Sequence, residues 1–196
     1  MINEIIVTSL DAQGAPHFAP MGVHWEGDDR AHSGLDRIGT KIILAPFRPS
    51  TSLENFTRDR VAVLNFCDDV RLFAACILGE RDFLTLPTTH IKGVRLADCL
   101  AHAEIEIERI DDNELRPKCH GTIMSHQIHK SFAGFNRAQF AVIEAAILYS
   151  RRHLLPRTEI TDGLARLAIL VDKTASINER LAWQSLNDAW EIWQKN

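Results

Sequence analysis

The sequence predicts a mainly β fold with α: a strand-rich domain followed by a unit of three helices. Three observations predict it. Short runs rich in β-branched residues, Ile5-Ile6-Val7, Ile42-Ile43-Leu44 and Val61–Phe66, are separated by turns marked with glycine or proline. Ala103 to Glu108 alternates apolar and acidic residues, the period of a strand with two unlike faces. From Asn136 onward the apolar spacing changes to that of amphipathic helices.

Taken in order, Glu4–Leu10 and His17–Trp25 read as a hairpin across the turn Asp11-Ala12-Gln13-Gly14. Pro20 removes a ladder donor from the second strand, and Gly22 leaves a gap in its side-chain cover. Such a strand lies at an edge, carries a bulge, or is approached closely by a ligand. Residues 26–39 form a polar surface loop with room for a short strand. The next strand, from Lys41, is stopped by Pro46 and Pro49. Leu53–Phe56 reads as a short helix, with Thr51 and Glu54 spaced as a capping box. Val61–Phe66 returns as a strand. A helix runs to Leu78, capped by Asp68 or Asp69 and ended by Gly79.

Phe83–His90 reads as irregular. In the alternating strand after it, the acidic face is expected to meet solvent. Asp111-Asp112-Asn113 turns the chain, and Arg116–Ile128 pairs back. Helices follow at Asn136–Arg152, Thr158–Lys173 and Ser176–Gln194. The first presents Phe140, Ile143, Ile147 and Leu148 on one face. The expected division is residues 1–133 and 134–196.

At 196 residues the chain suits one domain, or one domain with an appendage. Net charge is −4 and no basic block occurs, which argues against a nucleic-acid partner. The four cysteines make no close pair and read as reduced, mostly buried thiols. No apolar stretch approaches the ~20 residues needed to span a bilayer. The expectation is a soluble, cytoplasmic protein. Cys119, His120, His126 and His129 are types that bind metal, but their spacing fits no finger, and a strand points Cys119 and His120 to opposite faces. No metal is expected.

The turn after the third strand carries the chemistry. A helix start offers unsatisfied N–H groups and a partial positive charge. Ser50, Thr51 and Ser52 add hydroxyls, and Arg48 adds a planar fork suited to phosphate oxygens. The ordinary alternative is a plain helix cap beside a solvated arginine.

The order of these stretches carries a resemblance. NEIIVTS, APMGVHW, LAPFRPSTSLENF, VLNFCDDVRLFA, GFNRAQFAVIEAAIL and LVDKTAS follow one another in this chain. Together they resemble the FMN-binding split-barrel superfamily of flavin reductases and pyridoxamine-phosphate oxidase relatives. Within it they look closest to a functionally unassigned archaeal and bacterial FMN-binding family. The resemblance implies a split β-barrel with FMN as cofactor. Arg48, Ser50, Thr51 and Ser52 would hold the phosphate. Met21-Gly22-Val23 and Ile43-Leu44-Ala45 would offer backbone to the ring. Asn65, Asn55, Asn136 and Arg137 would be further contacts. It also implies a homodimer with FMN near the subunit interface.

The function expected is an oxidoreductase, flavin reductase-like, acting on an unidentified small molecule. No nucleophile–base pair, paired catalytic carboxylates or GxGxxG motif competes with that reading. The cofactor carries the redox chemistry, so no catalytic side chain is singled out. NAD(P)H and a deazaflavin both remain open as electron donor. A carrier or sensor that binds FMN without turnover is the alternative. Haem binding through His24, His126 or His129 is a third, which the hydroxyl-rich turn argues against.

Overall fold

The computed structural model describes residues 1–26, 37–112 and 115–195. The chain divides into two compact units, Met1–Cys67 with Arg81–Ser131, and Asp68–Glu80 with Phe132–Asn196. The short strand allowed for in the polar loop falls largely on residues 27–36, outside those described.

The first unit is a closed barrel. Its strands are β1 (Ile2–Leu10), β2 (Pro16–Trp25), β3 (Lys41–Leu44), β4 (Val61–Phe66), β7 (Ala101–Asp111) and β8 (Lys118–Ile128). They close in the order β1-β2-β3-β8-β7-β4, with antiparallel neighbours. This is the mainly β architecture with following helices that the sequence predicts. Alternation sets the inside: Ile5, Val7, Val23, Leu44, Leu64, Ala103, Ile105 and Ile107 fill one core. α1 (Thr51–Asp59) adds Leu53 and Phe56 to that core, so its apolar face plugs the barrel. Gly121 is fixed by the wall itself, since a Cβ there would stand 2.9 Å from the Glu106 carbonyl oxygen.

The barrel is unevenly zipped. On the β2 side, β3 meets only Val23–Trp25 at the end of that strand. The earlier half of β2, including Pro20, pairs with β1 alone, so the missing proline N–H costs no ladder bond on the β3 side.

Two expectations fail here. Phe83–His90 is not irregular throughout: β5 (Thr85–Pro87) pairs with β6 (Val94–Leu96). These strands sit in an excursion, Arg81–Leu100, that we call the strap. Nor does the whole acidic face of β7 meet solvent. Glu106 and Glu108 do, but Glu104 is completely buried.

The second unit packs α2 (Val70–Leu78), α3 (Arg137–Ser150), α4 (Arg157–Thr174) and α5 (Ile177–Lys195). Asp69 caps α2 by accepting from Arg71 N, and Gly79 at φ 98° closes it. Val70, Ala74, Val142, Ala145, Ile160, Leu164, Leu186 and Trp190 form its core. On α3 the expected face is only partly the buried one: Ile143 and Leu148 pack against this core, but the fully buried positions are Ala138, Ala141, Val142, Ala145 and Ala146, and Phe140 is exposed. Among the described residues, no helix is long and apolar enough to cross a membrane.

Candidate functional site

Pro46 and Pro49 end β3 and deliver the chain to α1. Ser50 is the N-cap, in extended conformation, and its hydroxyl oxygen accepts from Leu53 N at 3.3 Å. The expected capping box from Thr51 to Glu54 is therefore shifted. The earlier hydroxyl already reaches three residues on, and Thr51 becomes the first helical residue, with an exposed side chain. The N–H groups of Thr51 and Ser52 lie in the first turn, where no intrahelical acceptor exists. The Ser50 hydroxyl accepts one bond and keeps a proton to donate. The Ser52 side chain is buried.

A cavity of about 630 Å³ opens beside this turn. Arg48, Pro49 and Ser50 line one part, Leu53, Glu54 and Thr57 of α1 another, and Arg58, Arg60, Ile110 and Asp112 the rest. Three guanidiniums face two carboxylates there, so the wall is net cationic. Arg48 is ion-paired to Asp112. Its backbone N–H is anchored to Leu115 O at 3.2 Å. Arg116 donates to Ala45 O and lies 4.4 Å over the Phe47 ring, which steadies the approach to the turn. Arg58 is held by Asp59 and Leu10 O, and the Asp59 bond raises its already high pKa. Arg60 takes the left-handed conformation, φ 57°, that lets its N–H close the helix on Phe56 O.

The other sequence candidates fall in different places. Val23 and Leu44 are core side chains, and Met21 packs against the same core. Ile43 is half-buried and pairs opposite His120. Gly22 makes room for a side chain: a Cβ there would stand 2.7 Å from Ile2 Cγ2. Asn65 is completely buried, with its Nδ2 bonded to Ile6 O and Thr8 Oγ1 and its Oδ1 accepting from Leu96 N. Its carboxamide ties the strap to the barrel. Asn55 is buried too and donates to Ser9 Oγ at 2.9 Å, joining α1 to β1. Asn136 and Arg137 belong to the helical unit. Asn136 caps α3 by accepting from Ala138 N, and also donates to Thr174 O.

Cys119 and His120 do face opposite sides. Cys119 is enclosed in the barrel core, where burial pushes its thiol up to about 11, and His120 bonds Glu26 and Asp111. The haem candidates all have places in the barrel unit. His24 pairs with Ile43 next to core residue Val23, His126 lies against the Phe66 ring, and His129 is bonded to His102.

Sequence reasoning missed Arg58, Arg60 and Asp112 on the cavity wall, and a buried polar row under the strap. That row comprises Thr8, Asn65, His102 and Glu104. Its signal was a histidine and an acid two apart on one strand face, which periodicity alone reads as exposed.

Solved structures share the fold. An FMN-bound protein of Methanosarcina mazei superposes with a TM-score of 0.79 at 18% identity, over 96% of this chain and 94% of that one. The 2-nitrobenzoate 2-nitroreductase of Pseudomonas fluorescens gives 0.53 at 20% identity, over 64% of each chain. Flavoredoxin of Methanosarcina acetivorans gives 0.55 at 9% identity, over 68% of this chain and 72% of that one. The fold is thus the split β-barrel expected, one that these proteins share. No curated protein matches the chain. Residues 3–130 match the N-terminal domain of a family described as a protein of unknown function, DUF447, and residues 136–188 match its remaining part, so the chain belongs to that family.

Proposed function

We propose that this chain is an FMN-binding flavoprotein that takes the cofactor's phosphate at the start of α1. We further propose that it works as a flavin reductase-like oxidoreductase on a small molecule. The observation that carries this reading is the cavity that begins at Arg48 and Ser50 on the cationic wall of a helix start. Its volume lies within the ~300–1,000 Å³ usual for small-molecule and cofactor sites. Support also comes from the family relative of Methanosarcina mazei, described as FMN-bound, and from fold neighbours described as a nitroreductase and a flavoredoxin.

The residues fit a phosphate monoester. The Thr51 and Ser52 N–H groups and the Ser50 hydroxyl donate, and the Arg48 guanidinium supplies the charge. Asp112, now paired with Arg48, gives way to the phosphate or shares the guanidinium with it. Bound FMN would supply the hydride and electron chemistry, and the chain's part is to bind, orient and limit access. A homodimer with the cofactor near the subunit interface belongs to the same proposal.

The test is the visible spectrum of the purified protein, followed by FMN titration of wild type and Arg48→Ala. A flavin spectrum with weaker FMN binding in the variant supports the assignment. A colourless protein that also refuses added FMN sinks it. Oxidation of NADH or NADPH by the loaded protein separates an enzyme from a carrier, and its mass in solution tests the dimer.

A further inference from the structure

The barrel unit holds a second polar assembly that the proposed cofactor site does not use. Glu104 on β7 is completely buried, yet its carboxylate is surrounded by donors from the strap. Oε1 accepts from Thr89 N at 2.9 Å and from the Thr89 hydroxyl at 3.0 Å. Oε2 accepts from His90 N at 2.7 Å and Ile91 N at 2.9 Å. All four partners donate, so the arrangement requires an ionised carboxylate. Beside it, His102 Nε2 stands 3.5 Å from Glu104 Oε1. On its other side, His102 Nδ1 lies 2.9 Å from His129 Nε2. Those two rings are within 10° of parallel, with centroids 5.1 Å apart. A centroid distance that long with facing nitrogens that close describes an in-plane N–H···N bond rather than a stack. Such a bond holds one proton, and cannot survive with both rings cationic.

We propose that Glu104, His102 and His129 form an acid-sensitive latch that holds the strap Arg81–Leu100 on the barrel. Glu104 is the anchor, because it grips consecutive backbone N–H groups of the strap. The histidine pair is the sensor. His102 is buried, whereas His129 is half-buried and gives protons a way in.

The charged surroundings set the sign. Arg95 of β6 faces both imidazoles, and Lys130, itself paired with Asp98, faces His129, as does His126. Glu104 is the carboxylate at the pair, and His90 Nδ1 stands 3.9 Å from it on the strap side. Glu104 draws a proton toward His102, but burial and the neighbouring cations outweigh it, so both rings stay neutral below their ordinary range. A group whose proton affinity is depressed by folding stabilises the closed form above the ordinary imidazole pKa of ~6.5, and that contribution is lost as pH falls below it. The strap is then left with its Thr8 and Asn65 bonds and its Glu104 cage, without the brace that aligns His102 beside that cage.

The experiment is amide exchange in the full chain, read at Thr89, His90 and Ile91 and corrected for the intrinsic rate at each pH. Between about pH 7.5 and about pH 5, protection of these amides should fall by at least about tenfold, and by clearly more than that of amides in the β1–β2 ladder. His129→Gln keeps a neutral donor toward His102 Nδ1 while removing one of the two titrating rings, and should clearly weaken that pH dependence. Glu104→Gln should lose the protection at both pH values. Unchanged protection across the pH range overturns the latch, and so does a His129→Gln variant that keeps the wild-type pH response. If Glu104→Gln does not fold, the His129→Gln comparison decides alone. None of these readings depends on FMN.

Discussion

The guanidinium of Arg48 serves Asp112 in the structure and a phosphate in the proposal. Both partners are exposed, so the Asp112 pair is worth at most about 1 kcal/mol. Replacing Asp112 with Asn should free the guanidinium and tighten FMN binding by up to about fivefold, read by quenching of flavin fluorescence. Arg48→Ala should weaken binding by about 1.5–3 kcal/mol, the range of a hydrogen bond to a charged group. Asn65 offers a contrast, because its amide is used inside the fold. Asn65→Ala would leave Leu96 N without its acceptor, and should cost about 2–4 kcal/mol in urea unfolding without touching the flavin titration directly. The helix start itself was legible in residue types, as prolines that end a strand followed by a run of hydroxyls able to cap. Which hydroxyl caps was not legible, because Ser50, Thr51 and Ser52 are chemically equivalent until the backbone chooses. Glu104 was misread for a different reason: a period gives the face of a strand, not what a distant segment lays over it.

At the scale of elements, strands and helices were legible wherever their period persisted. β5 and β6 were not, because strands of three residues depend on anchors elsewhere in sequence, here Thr8 Oγ1 to Val94 O and Asn65 to Leu96 N. α3 shows how a correct helix can carry a face that is only partly right. Helices approach closely where side chains are small, so its alanines take the contact and Phe140 is left outside. The expected outcome is a reversal of the usual ranking by size. Ala141→Leu should destabilise by about 1–3 kcal/mol through overpacking. Phe140→Ser should stay within about 0.5 kcal/mol of wild type in the same denaturation experiment. Loss of the α1 cap in Ser50→Ala should cost about 1 kcal/mol, and should also weaken FMN binding through the lost hydroxyl donor.

For the whole molecule, acid should remove stability in two stages. His17, His102 and His129 are each held below the ordinary imidazole range, by burial first. Their contribution is complete above pH ~6.5 and is lost as pH falls below that value. Glu104 and Glu179 are held below the ordinary glutamate range, where hydrogen bonds outweigh burial. Their contribution is present above pH ~4.3 and is lost lower still. Urea midpoints near pH 7.5, 5.5 and 3.5 should therefore fall at each step, with the first step reduced in His102→Asn.

The strap is fixed to the barrel largely by buried carbonyl, amide, hydroxyl and carboxylate bonds. Exposing polar surface lowers heat capacity, whereas exposing apolar surface raises it. Opening the strap also uncovers some apolar surface, Leu96, Cys99 and the Phe18–Phe83 contact, so its heat-capacity increment is positive but should be small beside that of the barrel with its aliphatic core. The free energy of strap opening should therefore curve less with temperature than that of the barrel. Cooling would then weaken the barrel's core more than it weakens the fastening of the strap.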